Sequence, residues 1–455
     1  MAVKDKSLLS LSWPLIVTFG IGMALPMLDS WFLSRRSVQA AAGVGALMPV
    51  IGTLFMAIHA FAQAGASIAS QFLGGDRPRH AQVTQTLVIT GSTILGLAMG
   101  VFLWFATPTI VAFMGLSGEP ADAAIKFLHT ISPAIVFRAL QGTLTSLLAT
   151  HGYTIWNLFA NIITLFVNVV LNYTFLGGYF NIPPFMQGVY GVAVATGLAW
   201  MVSTIFLWIV MVYELEHKTH IKDIKKGYYV LLPEWLRIGV PAAIEPVSFQ
   251  LFQVFVIALF VSLGEVPIAS RVFAGAFAMV PVVLSVGLGS GSQILVAHLV
   301  GNKEFDKANK RMHQSLILSS SSAFIVAVIV ALLGQHLLAL YLEEENQHIN
   351  QQILQLGGML LWCDVVLQPF KASNIVITNA LRASGDSAFP AVFGTISMWT
   401  LGLGTTLLLC FGIGSWNGLG AIGLWLGMAS DEFYRSIANY IRWHRGKWKS
   451  KGVIK

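Results

Sequence analysis

Twelve apolar runs follow one another along the 455 residues, near 7–33, 40–72, 82–106, 121–149, 155–177, 189–213, 233–263, 267–300, 312–341, 348–382, 388–412 and 419–442. Each is at least as long as the roughly 20 residues a helix needs to cross hydrocarbon. Inside a bilayer every backbone N–H and C=O must find its partner within the protein, which leaves helices or closed barrels. A barrel would show alternating segments of about 10 residues, and these runs are continuous. The expected fold is therefore an all-α polytopic membrane protein with twelve transmembrane helices. Charged residues make up 10% of the chain, against about a quarter in soluble domains. The only cysteines, Cys363 and Cys410, both lie in apolar runs, so neither a disulfide framework nor a cysteine metal site follows. The opening MAVKDKSLLSLSWPLIV starts like a signal peptide, but its apolar stretch continues to Leu33 without a small-residue cleavage site. It reads as a retained first helix.

The formal net charge of +7 would suggest nucleic acid in a soluble protein. Here the positive residues gather in a few short loops and the C-terminal tail, where they set orientation. With both termini cytoplasmic, 20 Lys and Arg fall inside and 4 (Arg35, Arg36, Lys126 and Arg271) fall outside, while Arg138, Lys371 and Arg435 remain within spans. The expected location is the cytoplasmic (inner) membrane, multi-pass, with the lipid bilayer and a small molecule as partners and no nucleic acid.

The chain also repeats itself. QFLGGDRPRHAQ (71–82) follows the second span and HLVGNKEFDKAN (298–309) the eighth, aligning Gly74 with Gly301 and Ala81 with Ala308. SLLATHGY (146–153) similarly aligns with NALRASGD (379–386), setting Gly152 against Gly385. This order predicts two six-helix halves, 1–212 and 236–455, the second ending in a basic cytoplasmic tail. The polar stretch 213–235 would be a cytoplasmic linker. Repeats of this kind often hold a substrate site near the bilayer midplane.

Several of these stretches together resemble the MATE family, the multidrug and toxic compound extrusion transporters. They are WPLI (13–16) and MLDSWFLS (27–34) in the first span, QFLGGDRPRHA after the second, NVVLNYTFLGG (168–178) with GVYGVAVATGLAW (188–200), and LRASGDSAFP (381–390). The resemblance covers the whole chain. It implies twelve helices in two bundles forming a V-shaped cleft, no enzymatic activity, no cofactor, a monomer that suffices, and export coupled to H+ or Na+. Asp29 matches the family's first-helix acid, and its partners on the fifth and sixth helices correspond to Asn168, Asn172 and Thr196. Some members carry a second acid where this chain has Asn172. Pro14 matches a proline whose bending accompanies changes at the acid. The seventh- and tenth-helix acids of another branch fall near Phe249 and Lys371, so a second-half cation site of that type is not expected.

The physics of the candidate residues runs beside that resemblance. A carboxylate in hydrocarbon costs a few kcal/mol on insertion scales, so intramembrane acids usually mark ion or proton routes; the alternative for Asp29 is a neutral carboxyl bridging helices. Burial raises a carboxyl pKa and a nearby cation lowers it, so a proton, Na+ and a cationic substrate can compete for one acid. No metal site is expected beyond Na+ at Asp29. Pro14 and Pro26 weaken the backbone ladder around it, giving either a bending point or a static kink. Asn168 and Asn172, four apart, share a helix face and could complete a cation shell or simply bond between helices; Asn161 is a weaker candidate.

Glu245, Asp364 and Lys371 form a second charged group. Lys371 could pair with Glu245 across helices or meet an anionic part of the substrate. Arg138 and Arg435 suit snorkelling or an inter-helix salt bridge. FAQAGASIAS (61–70) and LSVGLGSGSQ (284–293) read as close-packing faces rather than phosphate loops. The acidic LEEENQH (342–348) suits a solvated outside loop. Met23, Met27, Trp31 and Trp200 could line an adaptable apolar surface or pack ordinarily.

The leading functional reading is an antiporter exporting amphipathic, cationic organic compounds by alternating access. Alternatives are a flippase of lipid-linked precursors, an exporter of anionic or zwitterionic metabolites, and an intramembrane enzyme. Sparse intramembrane positive charge argues against the flippase. The histidines His59, His129 and His151 stand isolated, and neither paired catalytic acids nor a helical HExxH occurs.

Overall fold

The computed structural model describes residues 3–177, 187–215, 221–342 and 347–454, apart from the side chains of residues 4, 177 and 221–229. Twelve long helical stretches account for nearly all of it. In chain order they are α1 (Leu8–Ser34), α2 (Val38–Gly74), α3 (Pro78–Phe113), α4 (Gly118–Thr150), α5 (Thr154–Gly177) and α6 (Gly188–Leu215). They continue with α7 (Ile221–Ser262), α8 (Glu265–Gly301), α9 (Phe305–Leu332), α10 (Gln347–Ala383), α11 (Ala388–Phe411) and α12 (Ala421–His444). Each matches one of the twelve apolar runs. Eleven of them hold a window long and apolar enough to cross a membrane; α12 is long enough but carries Asp431, Glu432, Arg435 and Arg442. The centre of the polar mid-chain stretch, 216–220, lies outside the described residues, and the backbone is helical from Ile221 onward. Residues 343–346 of the acidic loop also lie outside them.

Local chemistry fixes the helix ends. Pro78 occupies the first turn of α3, and Pro49 the first turn of the segment Met48–Gly74, where α2 resumes after a turn at Leu47; there a missing N–H costs nothing and the fixed φ is already helical. α11 contains a π-helical turn at Met398–Gly402. α1 is helical without a break through Pro14 and Pro26.

The helices group into two compact units. One contains Met1–Lys6 and Val17–Ala243; the other contains Ile244–Lys455 together with the strip Ser7–Ile16 from the start of α1. The first unit packs around Leu103, Leu128, Ile131, Ile135 and Trp200, among others. The second packs around Phe252, Val256, Phe260, Leu360 and Leu424, and a further cluster joins Val296 and Met312 to Trp443 and Trp448. Gly446 turns the chain back after α12, so that Trp448 stacks on Trp443 with centroids 4.1 Å apart.

Both small-residue runs are packing faces. In α8, residues 287–301 are buried throughout, and a Cβ on Gly289 would sit 2.9 Å from Asn379 Nδ2 and from Ile375 Cγ2 of α10. In α2, Ala62 and Ala64–Phe72 are buried, with Gly65 against Val88 of α3.

The backbone carries the internal repeat in finer detail than the residue matches do. Among the described residues, two that are not glycine have positive φ: Asp76 at 53° and Lys303 at 57°. They occupy the same place after α2 and α8. Each turn closes alike, with Arg77 N donating to Phe72 O at 2.8 Å and Glu304 N to Leu299 O at 2.9 Å. Gly152 (79°) and Gly385 (88°) end α4 and α10 in the same way. There Tyr153 N donates to Leu148 O and Asp386 N to Leu381 O. These are left-handed helix caps, which satisfy carbonyls the helix leaves free.

Candidate functional site

Asp29 lies four-fifths of the way along α1 and is 5% exposed. Three neutral side chains meet its carboxylate. From α5, Asn168 Nδ2 donates to Oδ1 at 2.9 Å and Asn172 Nδ2 donates to the same oxygen at 2.8 Å. From α6, Thr196 Oγ1 donates to Oδ2 at 2.8 Å. The partners also hold one another: Asn172 Nδ2 donates to Asn168 Oδ1 at 3.1 Å, and Asn168 Nδ2 to Thr196 Oγ1 at 3.1 Å. The helical spacing of the two asparagines, one turn apart, puts both amides on the face turned to α1. All four residues predicted for this site therefore converge. Asn161 does not join them; its amide donates to the carbonyl of Asn157.

Charge-assisted hydrogen bonds of this kind contribute about 1.5–3 kcal/mol each, and three of them replace much of the water an ionised carboxylate gives up. Among the described residues no cation pairs with Asp29. One polar atom is left over: Asn172 Oδ1 is buried and has no donor. Turning the two amides together would set oxygens where nitrogens now face Asp29. The same residues thus form a donor shell for a carboxylate in one setting, and an acceptor shell for a carboxylic acid or a small cation in the other. That oxygen set also fits Na+, with Asp29, Asn168, Asn172 and Thr196 holding it.

The second-half candidates do not form one site. Glu245 of α7 pairs with Arg382, whose Nη2 lies 2.7 Å from Oε2, and with Arg435, whose Nη1 lies 3.6 Å from Oε1. Pairing with Glu245, one of the readings open to Lys371, is not found among the described residues. Arg382 reaches the acid from the last turn of α10, and Lys371 instead lies 5.5 Å above the ring of Phe249. Asp364 accepts from Gln368 Nε2 at 3.1 and 3.0 Å, and Gln368 also reaches the carbonyl of Ala278.

Two acids not singled out from the sequence complete this network. Arg435 Nη2 lies 2.9 Å from both Asp431 Oδ2 and Glu432 Oε1. Asn374 donates to Glu432 Oε2 at 2.9 Å, and Asn439 donates to Asn374 Oδ1 at 2.9 Å. The π-helical turn of α11 brings Gly402 against Asp431, where a Cβ would lie 3.0 Å from Oδ1. The signal was present in the sequence, since Asp431 and Glu432 stand four and three residues before Arg435, the spacing of helical ion pairs. Of the two arrangements open to Arg435, the salt bridge is the one found.

Met23, Met27 and Trp31 have exposed side chains, Met27 at 65%. Trp200 does not line a surface: it is 5% exposed and packs edge-on against Phe55 at 5.4 Å in the core of the first unit. One turn separates it from Thr196 on the same face of α6.

The family model described as MatE matches residues 14–174 and 241–408. The uncharacterized transporter YisQ of Bacillus subtilis is 28% identical over 452 residues, covering 99% of this chain and 97% of its own. A probable multidrug resistance protein NorM of Thermotoga maritima is 27% identical, covering 99% and 94%. Among solved structures, a MATE protein in a bent conformation superposes with a TM-score of 0.83 at 17% identity, covering 98% of this chain and 96% of that one.

Proposed function

Since the chain belongs to the MatE family of multi-pass membrane transporters, we propose that it exports amphipathic organic compounds in exchange for protons, with Asp29 as the coupling group. One observation carries this reading: a single buried carboxylate held by neutral donors alone, beside an unpartnered acceptor, Asn172 Oδ1. No fixed counter-charge locks the ionised form, so uptake of a proton needs only a turn of the amide pair. Na+ would need all three partners to present oxygens at once, whereas a protonated Asp29 needs a single acceptor for its O–H, which favours the proton.

In the proposed cycle the ionised carboxylate attracts a cationic substrate from the cytoplasm. A proton entering from outside neutralises Asp29, removes that attraction and releases the substrate outward. Loss of the proton to the cytoplasm resets the site. Pro14 and Pro26 interrupt the hydrogen-bond ladder of α1 on the N-terminal side of Asp29 and so supply the places where the helix can bend with the change of charge. The excess of Lys and Arg in the loops assigned to the inside supports an inner-membrane orientation with both termini cytoplasmic.

The test uses everted vesicles carrying an inside-acid gradient, followed with a pH-sensitive dye as organic cations are added. Wild type should release protons on addition of substrate without a need for Na+, and Asp29→Asn should lose the response. An unchanged response in Asp29→Asn sinks the assignment of Asp29, and a strict Na+ requirement overturns the choice of ion.

A further inference from the structure

The segment that hooks back after α12 and the start of α9 form one edge of the second unit. Three contacts set them side by side. His313 meets Tyr440 edge-on at 5.8 Å, Asn309 Oδ1 accepts from Trp443 Nε1 at 2.8 Å, and Phe305 meets Trp448 edge-on at 5.7 Å. Each step back along α9 is matched by a step forward along α12, so the two run antiparallel. The first turns of α9 therefore lie level with the last turns of α12. Trp448 is 1% exposed, and its Nε1 donates to the carbonyl of Trp443 at 2.9 Å. The hook is thus pinned at this edge, with Arg445, Lys447 and Lys449 exposed around the buried indole.

The outward faces of the two helices change character at the same level. On α9, Lys310, Ile317 and Phe324 follow at intervals of seven and are all exposed, which sets them in one stripe. On α12 the exposed stripe runs through Phe433, Ile437, Tyr440 and Ile441 and ends at His444 and Arg445. Both stripes are apolar along the helix and cationic at this end. Residues 303–311 and 445–451 hold four Lys or Arg each, against two acids, Glu304 and Asp306. Glu304 takes Lys307, and Asp306 stands one turn before Lys310 without pairing with it. Among the described residues no carboxylate pairs with Lys310, Arg445 or Lys447.

We propose that this edge of the second unit binds an anionic phospholipid, its phosphate among Lys310, Arg445 and Lys447 and its acyl chains along Ile317 and Ile437. A soluble acidic partner would meet the cations and leave the apolar stripes uncovered; a lipid meets both. Tyr440 sits between the two levels, where aromatic rings favour the membrane interface. A basic cluster beside a membrane span is the kind of surface that attracts anionic headgroups. Under the orientation proposed above, the lipid belongs to the cytoplasmic leaflet. The site depends on neither the exported substrate nor the coupling ion.

Native mass spectrometry of the full-length protein in detergent, titrated with phosphatidylglycerol or phosphatidylcholine of the same acyl chains, reads the affinity for the first lipid bound. Each cation near an anionic headgroup is worth about fivefold in affinity. Wild type should bind phosphatidylglycerol about tenfold or more tighter than phosphatidylcholine, and Lys310→Gln/Arg445→Gln/Lys447→Gln should bring the two within about twofold. Arg77→Gln/Arg79→Gln, which removes two exposed cations of the first unit, should keep the preference. Trp448→Ala keeps every charge but frees the hook and should lose part of it; an unchanged preference there overturns the pinned hook as part of the site. The triple variant changes exposed side chains only and remains informative if the tryptophan variant does not fold. Equal affinity for the two lipids in wild type, an unchanged preference in the triple variant, or an equal loss in the Arg77/Arg79 variant overturns the site. If glycerol 3-phosphate competes as well as phosphatidylglycerol, the ligand is a free anion and the lipid assignment is overturned. Loss of substrate-triggered proton release with the lipid preference intact defeats the export reading alone; the reverse defeats the lipid site alone.

Discussion

The first helix of each half carries a buried acid, and the two acids live under opposite electrostatic regimes. Asp29 on α1 is held by two amides and a hydroxyl. Glu245 on α7 is held by two guanidiniums, in a network where Arg435 also clamps Asp431 and Glu432. The partners of Glu245 carry a permanent positive charge. The donors around Asp29 carry none. The same backbone repeat thus carries one buried acid among neutral donors and one among fixed cations.

The sharpest way to break this contrast is Arg435→Met. Removing one partner of a buried charge network leaves the others uncompensated, at a cost of about 3–5 kcal/mol. The purified variant should show a much lower melting temperature, with Arg435→Lys recovering only part. A melting temperature equal to wild type would mean that the network is not structural.

Asn172→Ala should cost less, about 1.5–3 kcal/mol, the worth of one hydrogen bond to a charged group. That loss should shrink when Asp29→Asn is already present, because the bond is then between neutral groups. A double-mutant cycle on melting curves reads the coupling, and purely additive effects would deny that Asn172 senses the charge of Asp29.

The paired left-handed residues give a prediction of opposite sign. A left-handed conformation costs a non-glycine residue about 1–2 kcal/mol, and aspartate tolerates it better than lysine. Lys303→Gly should therefore stabilise by up to about 1 kcal/mol and Asp76→Gly by less, as chemical denaturation would show. The smallest effect belongs to Lys371→Met. Its cation–π contact with Phe249 is worth about 0.5–1 kcal/mol at most sites, and no ion pair is lost. A drop as large as that of Arg435→Met would place Lys371 inside the charge network after all.

What could be read from the sequence divides along the same line. All twelve helices were legible because hydrocarbon enforces long uninterrupted apolar runs. The Asp29 group was legible through its family resemblance and through the helical spacing of Asn168 and Asn172. The Glu245 network was not, since the sequence offered Lys371 as the cation for Glu245, and only the contacts of Arg382 and Arg435 with the acid select between them. The repeat showed through Gly74 and Gly301, yet the strained positions are Asp76 and Lys303, which carry no glycine to mark them. For Trp200 the sequence left surface lining and ordinary packing both open, because side-chain direction on a mostly apolar helix leaves no periodic trace, and the structure packs it in the core.

The strip Ser7–Ile16 has a practical consequence for anyone who cuts this chain. Leu8, Leu11 and Leu15 are buried, and Gly287 and Gly291 of α8 face Ile16 and Ser12, all within the second unit. A fragment beginning at residue 221 is therefore missing a piece of its own interior. Expressed alone it would present a bare groove along α8, and its natural complement in trans would be a peptide from the other end of the polypeptide. Fusions and purification tags placed ahead of Leu8 bear on the half that lies more than two hundred residues downstream.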